Sequence, residues 1–236
     1  MNNLSLESKT WDAFFIEDVA EIISGRDIYE KERIDGLVPY ISATANNNGI
    51  GYFVANNNET LESGCLSVNR NGSVGYCFYH PYKALYGNDT RKLRPKKNNR
   101  YISLFISMCI TKQREKYGYG YKMGTGRLKR QRILLPVDTN NNPDWAFMKA
   151  YMKQKEQQIL RSTIERLCKQ LINNNIIGGI NRYAPIGKLF TSQKFLPRYN
   201  EVSVLKKLTI RTDKLHMYHQ HLSIMVLTDS LETMAA

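Results

Sequence analysis

Between residues 144 and 172, apolar side chains recur at three- and four-residue steps. Met148, Met152, Leu160, Ile164, Leu167 and Leu171 are separated mainly by Lys, Arg, Glu and Gln. That spacing predicts one long amphipathic helix, with Asp144 as N-cap ahead of Trp145, Ala146, Phe147 and Met148. A stripe of this length cannot cover itself. It must lie along its own folded body or pair with another helix, so the chain has to supply or recruit a second apolar surface. Its middle, residues 153–158, is polar, which makes the seam imperfect. With Ile159 added, the candidate partner seam is Met148, Met152, Ile159, Leu160, Ile164, Leu167 and Leu171.

Residues 11–143, ahead of the helix, read as mixed and strand-rich. Apolar runs at 38–41 and 51–54 are bounded by Gly and Asn, which predicts strands. Runs at 65–68 and 74–79 flank Asn69-Arg70-Asn71-Gly72-Ser73, and Asn-Gly there predicts a hairpin. A short helix is expected over 18–23, ended by Ser24-Gly25, and a buried helix over 101–110. Residues 132–137 supply a final strand. Beyond the long helix, Asn173-Asn174-Asn175 and Gly178-Gly179 mark a joint, and the remainder has no pattern that assigns a compact fold. The expected architecture is an α+β (mixed α/β) domain over 11–143, a coiled-coil-like helix over 144–172, and a short C-terminal segment over 173–236.

Charge narrows the function. Residues 91–132 hold fourteen Lys and Arg against one acid, Glu115, so this segment alone carries the chain's formal net charge of +13. A basic excess confined to one segment fits a polyanionic partner. A solvated basic face would explain the charge, but not the Tyr and Gly woven through its densest part.

Several classes are disfavoured. No run approaches the roughly 20 apolar residues of a membrane helix, and residues 1–11 lack the apolar core of a signal peptide. The chain is therefore expected in the cytoplasm. Cys65, Cys77, Cys109 and Cys168 have no short pair spacing, so reduced core thiols are expected rather than disulfides or a zinc knuckle. His216, His219 and His221 have no neighbouring Cys or tight carboxylate set and read as polar surface. Asn142-Pro143-Asp144-Trp145 lacks the second proline of the motif that holds a flipped base in amino-methyltransferases, and no glycine-rich nucleotide turn is present. A metal-dependent nuclease needs converging acids. Only Glu7-Ser8-Lys9 fits half of such a pattern, while Glu17, Asp18, Glu21, Asp27, Glu30 and Glu32 read as a solvated helix face. His80 stands alone. The chain is expected to be non-catalytic, with no cofactor and no metal.

Binding chemistry is richer. Tyr117-Gly118-Tyr119-Gly120-Tyr121-Lys122-Met123-Gly124-Thr125-Gly126-Arg127-Leu128-Lys129-Arg130 combines flexible backbone, aromatic planes and cations. Glycine lets the chain approach a phosphate backbone closely, and Lys and Arg neutralise it. Asn46-Asn47-Asn48-Gly49 and Asn69-Arg70-Asn71-Gly72 have the vocabulary that reads base edges, and equally that of ordinary tight turns.

In order along the chain, residues 11–25, Pro39-Tyr40-Ile41-Ser42-Ala43-Thr44, Asn47-Asn48-Gly49-Ile50 and Asn71-Gly72-Ser73-Val74-Gly75 are followed by Leu93-Arg94-Pro95, Tyr117-Gly118-Tyr119-Gly120, Arg127-Leu128-Lys129 and Ile133-Leu134-Leu135-Pro136-Val137. This ordered set resembles the target recognition domain of type I restriction-modification specificity subunits, over residues 11 to about 172. The resemblance implies an α/β domain that reads one half of a bipartite duplex DNA site, and a long helix that pairs antiparallel with another. It also implies separate modification subunits, which methylate adenine and supply S-adenosylmethionine, and a restriction subunit. Complete members carry two recognition domains, and this chain has room for one. Residues 184–190 faintly echo the start of a second, but its later pieces do not follow. A half-subunit that self-pairs through its helix, a truncated remnant and a recombined unit all fit.

On that footing Lys112, Lys116, Lys122, Arg127, Lys129 and Arg130 are expected on phosphates, with one Arg free for a base, and Tyr119 beside them. Ser42, Thr44, Asn47, Asn48, Asn69, Arg70 and Asn71 are expected to contact bases or to position their loops. Two other readings stay open: a small nuclease with a diverged metal site, and a protein that binds modification subunits without reading DNA.

Overall fold

The computed structural model describes residues 4–118 and 120–173, without the side chains of 168 and 171–173. The expectations for 174–236, including the histidine cluster, and for Tyr119 and the Leu171 side chain lie outside the described residues.

The chain enters through β1 (Trp11–Phe15), makes a single helical turn, α1 (Ile16–Val19), and continues as β2 (Ala20–Ser24). The helix expected over 18–23 is therefore a correction. Its second half pairs antiparallel with β8 (Thr90–Pro95), Ala20 opposite Pro95 and Ser24 opposite Arg91. Adjacent isoleucines at 22 and 23 suit a pleated surface better than a helix, and the sheet partner decides the matter. The acids read as a helix face are dispersed accordingly. Glu21 lies on β2 across from Arg94 and forms an ion pair with it.

The central sheet has the order β2-β8-β5-β6, antiparallel throughout, with β5 (Cys65–Asn69) and β6 (Cys77–His80) as the expected hairpin. Every residue of β5 and β6 is buried, so both faces of the hairpin need cover. On one face Leu66, Val68, Cys77, Tyr79 and Leu93 pack with the helix α2 (Arg100–Thr111) in one apolar cluster. This helix matches the expected buried one, and Asn99 caps it by accepting the Tyr101 N–H at 3.1 Å. On the other face Cys65 packs with Ile41, Ile50, Ala84 and Tyr86. Those residues come from or adjoin a second sheet of order β4-β3-β7, formed by β3 (Asp35–Ile41), β4 (Ile50–Val54) and β7 (Leu85–Tyr86). The β3–β7 pairing is parallel. The short helix α3 (Thr125–Arg130) precedes β9 (Arg132–Pro136), which returns to pair antiparallel with β1. The mixed α+β class is as expected, and the alternating strand pattern explains it: one face of each strand feeds each layer.

The layer between the two sheets is partly polar. His80 is buried, with its Nε2 2.9 Å from the Ser67 hydroxyl and its Nδ1 3.3 Å from the Tyr82 hydroxyl. Loss of hydration pushes its imidazole from 6.5 down to about 3. An unfolded chain takes up that proton near its ordinary pKa, whereas the folded protein resists it. The stability His80 contributes is thus fully present above 6.5 and is lost as the pH falls toward about 3, at up to about 1.4 kcal/mol per pH unit. Thermal midpoints measured between about pH 7 and 5 should fall more steeply for the wild type than for His80→Asn, by close to one proton. Parallel slopes would show that the ring carries no such penalty.

The final described element, α4 (Trp145–Asn173), begins at the expected cap. Asp144 accepts the Phe147 N–H at 2.9 Å and pairs with Lys9 at 2.7 Å. The chain divides into two units, and the boundary falls within this helix, between Lys155 and Glu156. In the first unit Phe147, Met148, Tyr151 and Met152 join the main core, Tyr151 edge-on to Phe105. Met148 and Met152 are 0% and 3% exposed. Their assignment to a partner seam is therefore corrected: core contacts of their own domain already cover them. In the second unit Leu160, Ile164 and Leu167 are exposed, and Ile159 is half-buried.

Candidate nucleic-acid interface

The polar loops singled out in the sequence come together at one place. The β3–β4 loop, residues 42–49, meets the β5–β6 loop, residues 70–76, through two bonds. The Ser73 N–H donates to the Ala43 carbonyl at 3.2 Å, and Asn69 Nδ2 donates to the Thr44 carbonyl at 3.0 Å. Gly72 makes this approach possible: a Cβ there would lie 2.6 Å from the Ala43 oxygen, and its φ is +59°. Gly75 does the same on the other side, where a Cβ would sit 2.7 Å from Arg114 Cβ. The β7–β8 turn joins through Asp89, whose carbonyl accepts the N–H groups of Arg70 and Asn71 at 2.8 and 3.3 Å. Arg91 then links that turn to α3, its Nε donating to the Thr125 hydroxyl at 2.7 Å. Three connections of the two sheets, the residues after α2 and the start of α3 thus form one contiguous cluster.

The loop residues divide by burial. Asn48 and Asn69 are buried, and Asn48 Nδ2 donates to the Tyr79 carbonyl and the Tyr82 hydroxyl. Of the two roles expected for them, base contact is corrected by their burial, and their amide nitrogens hold the loops. Asn47 and Asn48 have φ of 51° and 55°, left-handed values that Asn tolerates better than most residues. Asn47 itself is exposed, while Ser42, Thr44, Arg70 and Asn71 are half-buried. The Thr44 hydroxyl accepts the Asn46 N–H at 3.1 Å, an internal turn contact. Arg70 and Asn71 both reach the Asp89 carboxylate.

The basic segment is likewise divided. Lys92 is 2% exposed and paired with Glu62 at 2.7 Å, and Arg94 bridges Glu62 and Glu21. Arg91 is buried against the carbonyls of Asn88 and Thr90. Arg91 and Lys92 belong to the interior and cannot be part of an external footprint, whereas Arg94 is exposed with its guanidinium engaged by two acids. Lys112, Lys129 and Arg130 are exposed and make no ion pair among the described residues. Lys116 is exposed beside the Gln113 amide oxygen. Arg127 donates to the Lys122 carbonyl at 2.8 Å and lies 4.0 Å over the Tyr121 ring, which stacks in turn on Tyr117. Tyr117 is anchored by its hydroxyl to Gln131 at 2.6 Å. A Cβ at Gly118, Gly120 or Gly124 would meet nothing within 4 Å. The fold itself does not require glycine there, and the backbone stays open to a close approach.

Five residues have no role assigned from the sequence: Asp89, Arg91, Thr125 and the Arg114–Tyr76 pair, in which Arg114 donates to the Tyr76 hydroxyl at 2.7 Å. Arg91, Arg114 and Thr125 fall within stretches marked out by charge or composition, but their contacts come from elements distant in the chain.

Nothing in the described residues builds a metal site. No three His, Cys, Asp or Glu side chains among them are placed to hold an ion. Glu7 is exposed and Lys9 is paired with Asp144, the N-cap of the long helix, so Glu7-Ser8-Lys9 does not assemble a set of acids for a metal ion among the described residues. Cys65, Cys77 and Cys109 are free thiols, and burial pushes Cys65 and Cys109 up to about 12, far from a reactive thiolate. Among the described residues no helix is long and apolar enough to cross a membrane.

Comparison with known proteins gives a consistent set. The profile of the type I restriction modification DNA specificity domain matches residues 8–166. The specificity subunit S.BcgI of a type II restriction enzyme from Heyndrickxia coagulans is 38% identical over 164 residues, 69% of this chain and 48% of that protein. The chain thus spans about half the length of this curated relative. Among solved structures, the S subunit of a type I restriction-modification system from M. genitalium aligns with 19% identity and a TM-score of 0.48, over 73% of this chain and 44% of that one. The HsdS subunit from Thermoanaerobacter tengcongensis aligns with 16% identity and a TM-score of 0.48, over 66% and 39%.

Proposed function

Because this chain belongs to the type I restriction modification DNA specificity domain family, we propose that it reads one half of a bipartite duplex DNA site and carries out no chemistry itself. The observation that carries this reading is the loop cluster. Residues from the β3–β4, β5–β6 and β7–β8 connections lie in hydrogen-bond contact with one another and with α3, whose cations Lys129 and Arg130 are exposed and make no ion pair among the described residues. Lys112, Lys116, Lys122, Arg127, Lys129 and Arg130 would neutralise phosphates, and Ser42, Thr44, Asn47, Arg70 and Asn71 would face base edges. Phosphate contacts set orientation and base contacts set sequence. The Tyr117–Tyr121–Arg127 stack would hold one cation rigidly at the rim.

Residues 11–143 would be the recognition domain. The outer part of the helix within 144–172, with Ile159, Leu160, Ile164 and Leu167, would pair with a second helix, self-pairing included. Methyl transfer to adenine and cleavage would belong to separate modification and restriction subunits in the cytoplasm, with S-adenosylmethionine held by the former.

Salt dependence tests the reading. Each lost phosphate contact removes about 0.9 from the slope of log K against log salt. Arg127→Ala with Lys129→Ala should therefore flatten that slope by about two, on any duplex sequence. Since Arg127 also braces its own loop, Lys129→Ala with Arg130→Ala serves as the second variant and should match it. If both leave the slope unchanged, this surface does not meet DNA.

A further inference from the structure

Within the three loops of the cluster, residues 42–49, 69–76 and 87–91, there is one acid, Asp89. A carboxylate beside a phosphate-binding surface weakens binding, so electrostatics alone gives no reason for it. Its contacts give one. Asp89 Oδ1 accepts from Arg70 Nη2 at 3.0 Å, and Asn71 Nδ2 lies 3.4 Å from both carboxylate oxygens. The backbone of the same residue accepts from both backbone N–H groups. The hairpin tip is thus held to the β7–β8 turn at main chain and side chain together. Arg70 Nε is buried with no hydrogen-bond acceptor, so the surrounding protein shields that side of the guanidinium from a ligand. The side chain as a whole is still 31% exposed, which leaves the Nη1–Nη2 end as the face open to a ligand.

We propose that Asp89 is a positioning residue for base reading, fixing Arg70 so that the Nη1–Nη2 end of its fork reads a guanine of the target duplex. This rests on the DNA-reading function proposed above. Guanine presents two acceptors, O6 and N7, side by side in the major groove, and a planar fork with two parallel N–H bonds matches them. One hydrogen of Nη2 goes to Asp89, and the second remains for the base alongside Nη1. Holding the fork beforehand removes the rotamer freedom that an unbraced arginine would lose on binding, and so sharpens discrimination between bases. A phosphate contact would not need such a brace, since any approach of the charge suffices.

The test is selection from a randomised duplex library by the full chain, comparing the wild type with Arg70→Ala and Asp89→Asn. The asparagine preserves size and leaves the backbone contacts in place while removing the charge. The wild type is expected to enrich a motif containing a guanine that both variants relax by at least about tenfold, with the other positions kept. The salt slope should stay nearly constant for Arg70→Ala. A slope reduced by about one, with uniform weakening across sequences, would make Arg70 a phosphate contact and overturn the proposal. Equal loss at every position in Asp89→Asn would reduce Asp89 to a structural role and overturn it too. An unchanged motif in both variants rejects this inference and leaves the DNA-reading function standing, whereas a wild type that enriches no sequence rejects the DNA-reading function and this inference with it.

Discussion

Replacing Glu62 with alanine should destabilise the first unit by about 3–5 kcal/mol, although no apolar core is touched. The cause is Lys92. It lies on β8 in the layer between the two sheets, its side chain 2% exposed, with its ammonium held by Glu62 at 2.7 Å and the Thr60 carbonyl at 3.2 Å. Removing the carboxylate leaves a buried cation with one neutral acceptor. Hydrogen bonds from Arg94 first, and then Lys92, hold the Glu62 carboxyl down at about 2, so the carboxylate stays ionised across the physiological range. Glu62 is still 26% exposed, so water reaches part of the site and the lower end of the range is the better expectation. Urea unfolding at constant m-value measures it. Adding Lys92→Met to Glu62→Ala should restore much of the loss, because an apolar residue of similar length needs no counter-charge. A loss below about 1 kcal/mol would mean that Lys92 escapes to solvent.

The second large effect separates the two halves of the long helix. Met148→Ala should cost about 2–5 kcal/mol, the range for deleting a buried side chain from a packed core. Met148 is 0% exposed in the cluster that includes Phe105 and Tyr151. Ile164→Glu with Leu167→Glu should leave the stability of the first unit within about 0.5 kcal/mol, as expected of exposed positions. Both residues are more than 40% exposed. The double variant should instead lower association, read as mass by light scattering against the wild type. If Met148→Ala lowers association and leaves unfolding untouched, the helix is a seam from its first turn. If the double glutamate variant unfolds the first unit, the outer helix belongs to its core.

These two cases also mark the limits of what periodicity can say. Apolar residues at helical spacing, interrupted by the polar stretch 153–158, run through Met148, Met152, Leu160, Ile164 and Leu167. Spacing shows that these share a face, and it says nothing about which partner each one meets. The change from buried to exposed along these positions came from tertiary packing: the core of the first unit ends at about the point where the polar stretch from Lys153 begins, and only the first turns pack into it.

Charge teaches the same lesson. The basic segment was visible as a run, but Lys92 and Arg94 face acids brought from Glu62 and Glu21 by strand pairing, and those partners are distant in the chain. Asn48 and Asn69 look like readers by composition and are anchors by burial. Asp89 has no motif at all, because what makes it matter is a hairpin tip contributed by another strand pair.

The sequence by itself determined the elements with local causes. It placed the hairpin around Asn71-Gly72, the buried helix over 101–110, the start of α4 at Asp144 and the family pattern from residue 11 onward. Each depends on turn, cap or spacing chemistry within a few residues. Only the tertiary structure decided whether residues 20–24 were helix or strand, which cations are spent inside, and which loops share a surface. Those outcomes depend on β8, β5 and the second sheet arriving beside them, and at residues 20–24 pairing with β8 decides what local pattern left open.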